Sequence, residues 1–231
     1  MNNKQWHNGF LLVALIAGIG FSNVYATTVP FTEEFASSSS NWYNAAGTAP
    51  LGHQTTGGPD GSGFAAGTFN FANSTAGNST VLFRGQDEFG SSGGAFIGNW
   101  IADGVTGFSA WVRHNAPTPL TFFTRFSSPF NFPGAVAVNF APVFPNAWTQ
   151  ITIPIDPSNP QFVTFEGTDF NTVFGNVGHV QLGVSVPEAL AGQDATYAFD
   201  LDKVTIVPEP ASLALLGLGA CSMIFRRSKN R

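Results

Sequence analysis

The chain reads as an all-β protein, a β-sandwich body between two short apolar end segments. Three observations predict this. No stretch of the body shows the 3.6-residue apolar period of an amphipathic helix. Gly, Pro, Asn, Ser and Thr punctuate it at short intervals. Between them lie runs rich in Val, Ile, Phe, Thr and Trp in which apolar and polar side chains alternate, as in strands with one buried face.

Residues 1–26 predict a secretory signal peptide. Lys4 supplies the positive start, Phe10 to Phe21 is an apolar stretch too short to span a bilayer, and Val24-Tyr25-Ala26 offers cleavage after Ala26. The sandwich is expected over 27–206. Its strands are expected at 30–35, 63–71, 79–84, 105–113, 120–127, 134–140, 147–155, 178–186 and 195–207. Val180, Leu182 and Val184 alternate with Gln181 and Gly183, and Phe108, Ala110 and Val112 alternate with Ser109 and Trp111. Asp169 to Gly175 predicts one helical turn capped by Asp169. The glycine-rich segment 86–100 reads as loop. In the last strand the apolar phase flips, from Tyr197, Phe199 and Leu201 to Val204 and Ile206. Either a β-bulge near Asp202-Lys203 or a kink between two strand segments reconciles the two halves.

The body between 27 and 207 has 13 acidic side chains and four basic ones, Arg84, Arg113, Arg125 and Lys203, a formal charge of −9. That excludes nucleic acid as a partner, because phosphate neutralisation needs clustered Lys and Arg. The lone cysteine, Cys221, lies outside the body, so packing and not disulfides must hold the fold. With 24 Phe in the chain, aromatic area is abundant.

The C-terminal segment 207–231 has three parts: Val207-Pro208-Glu209-Pro210, an apolar run over 213–225, and a basic end with Arg226, Arg227, Lys229 and Arg231. A permanent bilayer span needs about 20 apolar residues, so 213–225 suits a transient membrane hold with the basic end cytoplasmic. In that order these parts resemble the PEP-CTERM sorting signal of exopolysaccharide-producing, Gram-negative-type bacteria. The resemblance implies export by the Sec machinery and an exosortase partner that reads Val207 to Pro210 with Arg226 and Arg227. It also implies membrane attachment through the 213–225 helix before processing, and a destination at the cell surface, outer membrane or extracellular matrix.

No pattern for catalysis stands out. His53, His114 and His179 lack a second ligand at zinc spacing, no Ser occupies a Gly-x-Ser-x-Gly elbow, and Asp87-Glu88 are adjacent rather than convergent. The protein is expected not to be an enzyme. The loop Gly57 to Gly63 lacks the Lys of a phosphate loop and reads as a turn, or as a loop lending Asp60 or its carbonyls to a ligand.

Phe31-Thr32-Glu33-Glu34-Phe35, Asn41-Trp42, Gly57 to Gly63, Ala147 to Ile151 and Phe199 to Val204 follow one another in an order that resembles jelly-roll carbohydrate-binding and galactose-binding-like modules. That resemblance implies a structural Ca²⁺ between the first and last strands, held by Glu33 or Glu34 with Asp200, since hard oxygens suit Ca²⁺. It also makes Trp42, Trp100 and Trp111 candidates to stack on a sugar ring, with the core as their alternative place. Trp148 opens an alternating strand and reads as core. The expected function is a non-enzymatic surface or matrix protein that binds exopolysaccharide in a biofilm. The alternatives are a structural coat protein without a small ligand, and a glycoside-active enzyme with a dispersed acidic pair.

Overall fold

The computed structural model describes residues 27–208. The signal segment with Ala26 and the sorting segment from Glu209 onward, including 213–225, Arg226 and Arg227, lie outside the described residues. The described chain forms eleven strands: β1 (Phe31–Glu33), β2 (Gly52–Gln54), β3 (Phe64–Asn70), β4 (Ser79–Gln86), β5 (Val105–His114), β6 (Phe122–Ser127), β7 (Gly134–Val138), β8 (Thr149–Pro154), β9 (Phe162–Thr164), β10 (His179–Ser185) and β11 (Thr196–Pro208). One helical turn, α1 (Phe170–Phe174), precedes β10. Asp169 caps it, its side chain accepting from Thr172 N at 2.8 Å, as the sequence predicts.

All described pairings between these strands are antiparallel, and they make two sheets. Sheet A runs β2-β3-β11-β5-β8, with β1 also on β11; sheet B runs β4-β10-β6-β7-β9. The two pack face to face as the expected β-sandwich. Val112 and Ile151 from sheet A and Val180 and Leu182 from sheet B are fully buried between them, which is what the period-2 alternation requires of inward positions. At about 25 cal/mol per Å² of apolar area, this aromatic-rich core replaces the disulfides the body lacks.

Nine expected strands are present with ends displaced by one or two residues in most cases. The sequence missed β2 and β9, each three residues long, too short for alternation to show. The phase flip in β11 is a bulge: the β5–β11 ladder skips between Asp202 and Thr205, and Lys203 takes φ +45°. The extra residue keeps Leu201 and Val204 both in the core. Strand β11 continues through Val207 and Pro208, paired with Gly107 and Val105. The sorting segment therefore leaves directly from a hydrogen-bonded strand.

Among the described residues no helix is long and apolar enough to cross a membrane.

Candidate functional site

Alternation sends every second side chain of sheet B away from the core. Register aligns Arg84, Gln181, Arg125 and Val136 in one row across β4, β10, β6 and β7, and Gln86, His179, Ser127 and Gly134 in the next. A solvated outer face would leave such groups in water. Here Gln86, His179 and Gln181 are only 2–3 % exposed, because the loops after β4, β6 and β9 fold over them.

Those loops supply the partners. Arg125 grips Glu166 with two bonds of 2.6 Å, from Nε to Oε1 and from Nη2 to Oε2, the fork geometry that suits a carboxylate. Its Nη1 donates to Asn131 Oδ1 at 2.9 Å and to Gln181 Oε1 at 3.3 Å. Asn131 Oδ1 also receives Gln181 Nε2 at 3.2 Å and faces His179 Nδ1 at 3.3 Å. Asn131 adopts φ +64°, a conformation Asn tolerates, and this aims its side chain into the network. Gly134 leaves room for the ion pair, because a Cβ there would lie 2.8 Å from both Arg125 Nη2 and Glu166 Oε2.

His179 Nε2 sits 2.9 Å from Glu88 Oε2, close but without the alignment of a hydrogen bond. Burial depresses the His179 pKa, opposed by Glu88, so the imidazole is neutral at pH 7. At the rim, Phe130 and Phe132 are 90 % and 63 % exposed on either side of Asn131, and Phe89 stacks on Tyr43 at 3.9 Å beside β4. The result is a row of rigidly held hydrogen-bonding groups edged by exposed aromatic rings.

The outer face of sheet A is built differently. Arg113 on β5 pairs with Asp200 on β11 at 2.8 Å. Its guanidinium lies over the rings of Trp148 at 4.6 Å and Phe64 at 4.9 Å. Trp148 Nε1 and Arg113 Nη1 both donate to Gly57 O, pinning the glycine loop to the sheet. Beside this stack lies an open hollow of about 590 Å³ between β2, β3, β11 and β5.

The structure corrects several expected site residues. Trp42 and Trp100 are fully buried. Trp42 lies against Gly85, where a Cβ would meet its ring at 2.6 Å, and donates to Ser92 Oγ. Trp100 packs on Phe126 and Phe174 and donates to Phe96 O. Neither has a face to offer a sugar. Trp111 is half-buried on the outer face of sheet A, opposite Asp202 in register, away from the sheet B network. Trp148, expected in the core, is instead half-buried on the outer face of sheet A, because its strand begins one residue later and the indole turns to Arg113.

Glu33, Glu34 and Asp200 are not assembled as one cation site. Asp200 is held by Arg113, Glu33 Oε1 accepts from Phe35 N, and Glu34 pairs with Lys203 at 2.8 Å. Among the described residues no three His, Cys, Asp or Glu side chains converge as metal ligands. Asp202 accepts from Lys203 N at 2.8 Å through Oδ1 alone. It is fully buried, and its Oδ2 makes no hydrogen bond. Burial raises its pKa from 3.8 to about 6. Lys203 Nζ bridges Glu34 and Asp60 at 2.8 Å each, and these contacts raise its own pKa.

Sequence reasoning missed Arg125, Asn131, Glu166, Gln181, His179 and Glu88. They come from separate segments, and only strand register and loop closure bring them together.

The profile of the PEP-CTERM protein-sorting motif matches residues 207–229. The chain carries a PEP-CTERM sorting motif. It implies a secreted protein, processed by an exosortase and sorted to the cell surface. No curated protein matches the sequence. Among solved structures, the chain is similar to the CBM22-1 and GH10 modules of a Clostridium thermocellum endo-1,4-β-D-xylanase. Identity is 17 %, with 80 % of this chain and 29 % of that one covered and a TM-score of 0.47. It is also similar to the CBM22-1 xylan-binding domain from Paenibacillus barcinonensis, at 15 % identity, 79 % and 97 % coverage and a TM-score of 0.42. An exo-β-agarase matches at 11 % identity, 79 % and 26 % coverage and a TM-score of 0.49. The chain thus spans under a third of the xylanase and agarase chains.

Proposed function

We propose that the protein is an exported, non-enzymatic polysaccharide-binding protein whose ligand lies along the outer face of sheet B. The observation that carries this is the pair of exposed rings, Phe130 and Phe132, on either side of the exposed Asn131, which the covered Arg125–Gln181 network holds in place. Sugars present hydroxyls around an apolar ring face. Two exposed rings beside a fixed, exposed amide match both parts at little entropic cost. The double substitution Phe130→Ala with Phe132→Ala tests it. Both rings are exposed, so the fold should survive. Retention in polysaccharide-containing gels should fall at least tenfold; unchanged retention would place the ligand elsewhere.

The route follows the tag: Sec export, a transient inner-membrane hold through 213–225, exosortase processing, and delivery to the surface or exopolysaccharide matrix of a Gram-negative-type bacterium. Mass spectrometry of the secreted protein should show a C-terminus upstream of Arg231; an intact Arg231 would overturn the processing.

A structural Ca²⁺ fits Asp202 better than Asp200. Oδ2 of Asp202 is a hard, buried oxygen without a hydrogen bond, and it lies near the Glu34 and Asp60 carboxylates that Lys203 bridges. Millimolar Ca²⁺ should raise the melting temperature of the wild type but not of Asp202→Asn. An equal response in both would remove Asp202 as the ligand.

A further inference from the structure

The body has four basic side chains among 13 acids, so each could be neutralised several times over. Three are. Arg113 is paired with Asp200, Arg125 with Glu166, and Lys203 with Glu34 and Asp60. Arg84 is the exception. No carboxylate lies within ion-pair distance of it among the described residues. Its Nε donates to Ala45 O at 2.8 Å, which fixes the guanidinium, while its two terminal nitrogens make no hydrogen bond there and are not sealed from solvent.

Its place is equally specific. Arg84 shares a row with Gln181 and Arg125 on the outer face of sheet B. Two strand spacings of about 4.8 Å put the two guanidinium-bearing positions about 10 Å apart on one surface. The backbone at Gly47 closes over the side chain, where a Cβ would lie 3.5 Å from Arg84 Cδ and 3.6 Å from the Phe89 ring. Burial and the charge of Arg125 both act against the Arg84 charge, and Glu88, outside ion-pair distance, offsets only part of this. A half-buried guanidinium beside a second one destabilises the free domain. An anion from outside would relieve it.

We infer that the ligand is an anionic polysaccharide, and that Arg84 holds its acidic substituent through the two terminal guanidinium nitrogens. The inference rests on the assignment of the sheet B face as the glycan site. A planar fork of two N–H donors suits a carboxylate or a sulfate ester, a match a lysine ammonium does not make. The domain's −9 repels a polyanion at a distance. At physiological salt that repulsion is screened beyond about 8 Å, whereas the Arg84 contact acts at hydrogen-bond range.

The test measures binding of the secreted protein, by calorimetry and affinity electrophoresis, to alginate (carboxylate), carrageenan (sulfate ester) and a neutral β-glucan. One acidic polymer should bind at least tenfold more tightly than the neutral one, and which of the two does so names the acid group. Arg84→Gln should lose that tenfold preference while its melting temperature stays the same or rises, and Arg84→Lys should restore only part of the affinity. Equal binding to acidic and neutral polymers, or full acidic binding by a folded Arg84→Gln, overturns the anionic preference and leaves the glycan site standing. Binding to none of the three overturns both.

Discussion

The two outer faces of this sandwich handle the same problem, cations on a sheet surface, in opposite ways. On sheet A, Arg113 is stacked on Trp148 and Phe64, paired with Asp200 and bonded to Gly57 O. Its bonds serve to hold a loop against the sheet. On sheet B, Arg125 ties three loop and strand residues together, yet its row neighbour Arg84 is left without an acid. A face whose cations are paired internally is built for stability. A face that keeps one charge unmatched in a strongly acidic domain is built to meet something else.

The largest effect that can break this comparison is at Arg125. Arg125→Leu leaves the Glu166 carboxylate, only 21 % exposed, without its partner and removes the donor to Asn131. Because losing one member of a well-buried pair costs about 3–5 kcal/mol, a cost of about 2–3 kcal/mol in urea unfolding is expected for this partly buried one. A cost below about 1 kcal/mol would mean that the network does not hold the face in shape.

Asp202 gives the next effect and the clearest pH dependence. Its carboxyl titrates at about 6 when folded, against 3.8 as the ordinary value. The folded state therefore keeps a proton that the unfolded chain has released. The stability this contributes is complete below pH 3.8 and is lost as pH rises through 6. With chelator present, Asp202→Asn should be about 2–3 kcal/mol more stable than wild type at pH 7, and the two should converge near pH 3. A pH-independent difference would show that the burial of Asp202 is not the cause.

The smallest effect belongs to sheet A. Arg113→Ala should cost about 1–2 kcal/mol at pH 7, from a partly exposed ion pair and the cation–π contacts. Burial raises the Asp200 pKa despite Arg113. Acidification neutralises the orphaned carboxylate, so the cost should shrink to about 0.5–1 kcal/mol near pH 3. Polysaccharide retention should not change. A loss of retention would move the glycan site to sheet A and undo the contrast between the faces.

Much of the fold is legible residue by residue. Val180, Leu182 and Val184 announce a half-buried strand, Asp169 announces a cap, and the flip between Leu201 and Val204 announces a bulge. These are local facts, set by side-chain period and by hydrogen bonds between near neighbours. The tryptophans are not legible in the same way. Trp42 stands between Asn41 and Tyr43 and Trp148 between Ala147 and Thr149, with nothing local to tell them apart, yet one lies on Gly85 in the core and the other under Arg113 at the surface. What separates them is the partner strand. Asp200 and Asp202 were similarly ambiguous. They share a strand face, but only Asp200 meets an arginine across the ladder.

The sequence by itself determined the route and the architecture. A sorting motif is read as a linear segment, and strand alternation follows from the pleat of the chain. The tertiary structure alone decided the candidate site. Arg84, Arg125, Asn131, Glu166 and Gln181 are scattered along the chain, and antiparallel register sets which of them share a row. The acidic composition hides the one guanidinium without an ion pair among the described residues, because a count of charges does not say which are paired. Pairing is a matter of distance, and the fold alone sets the distances.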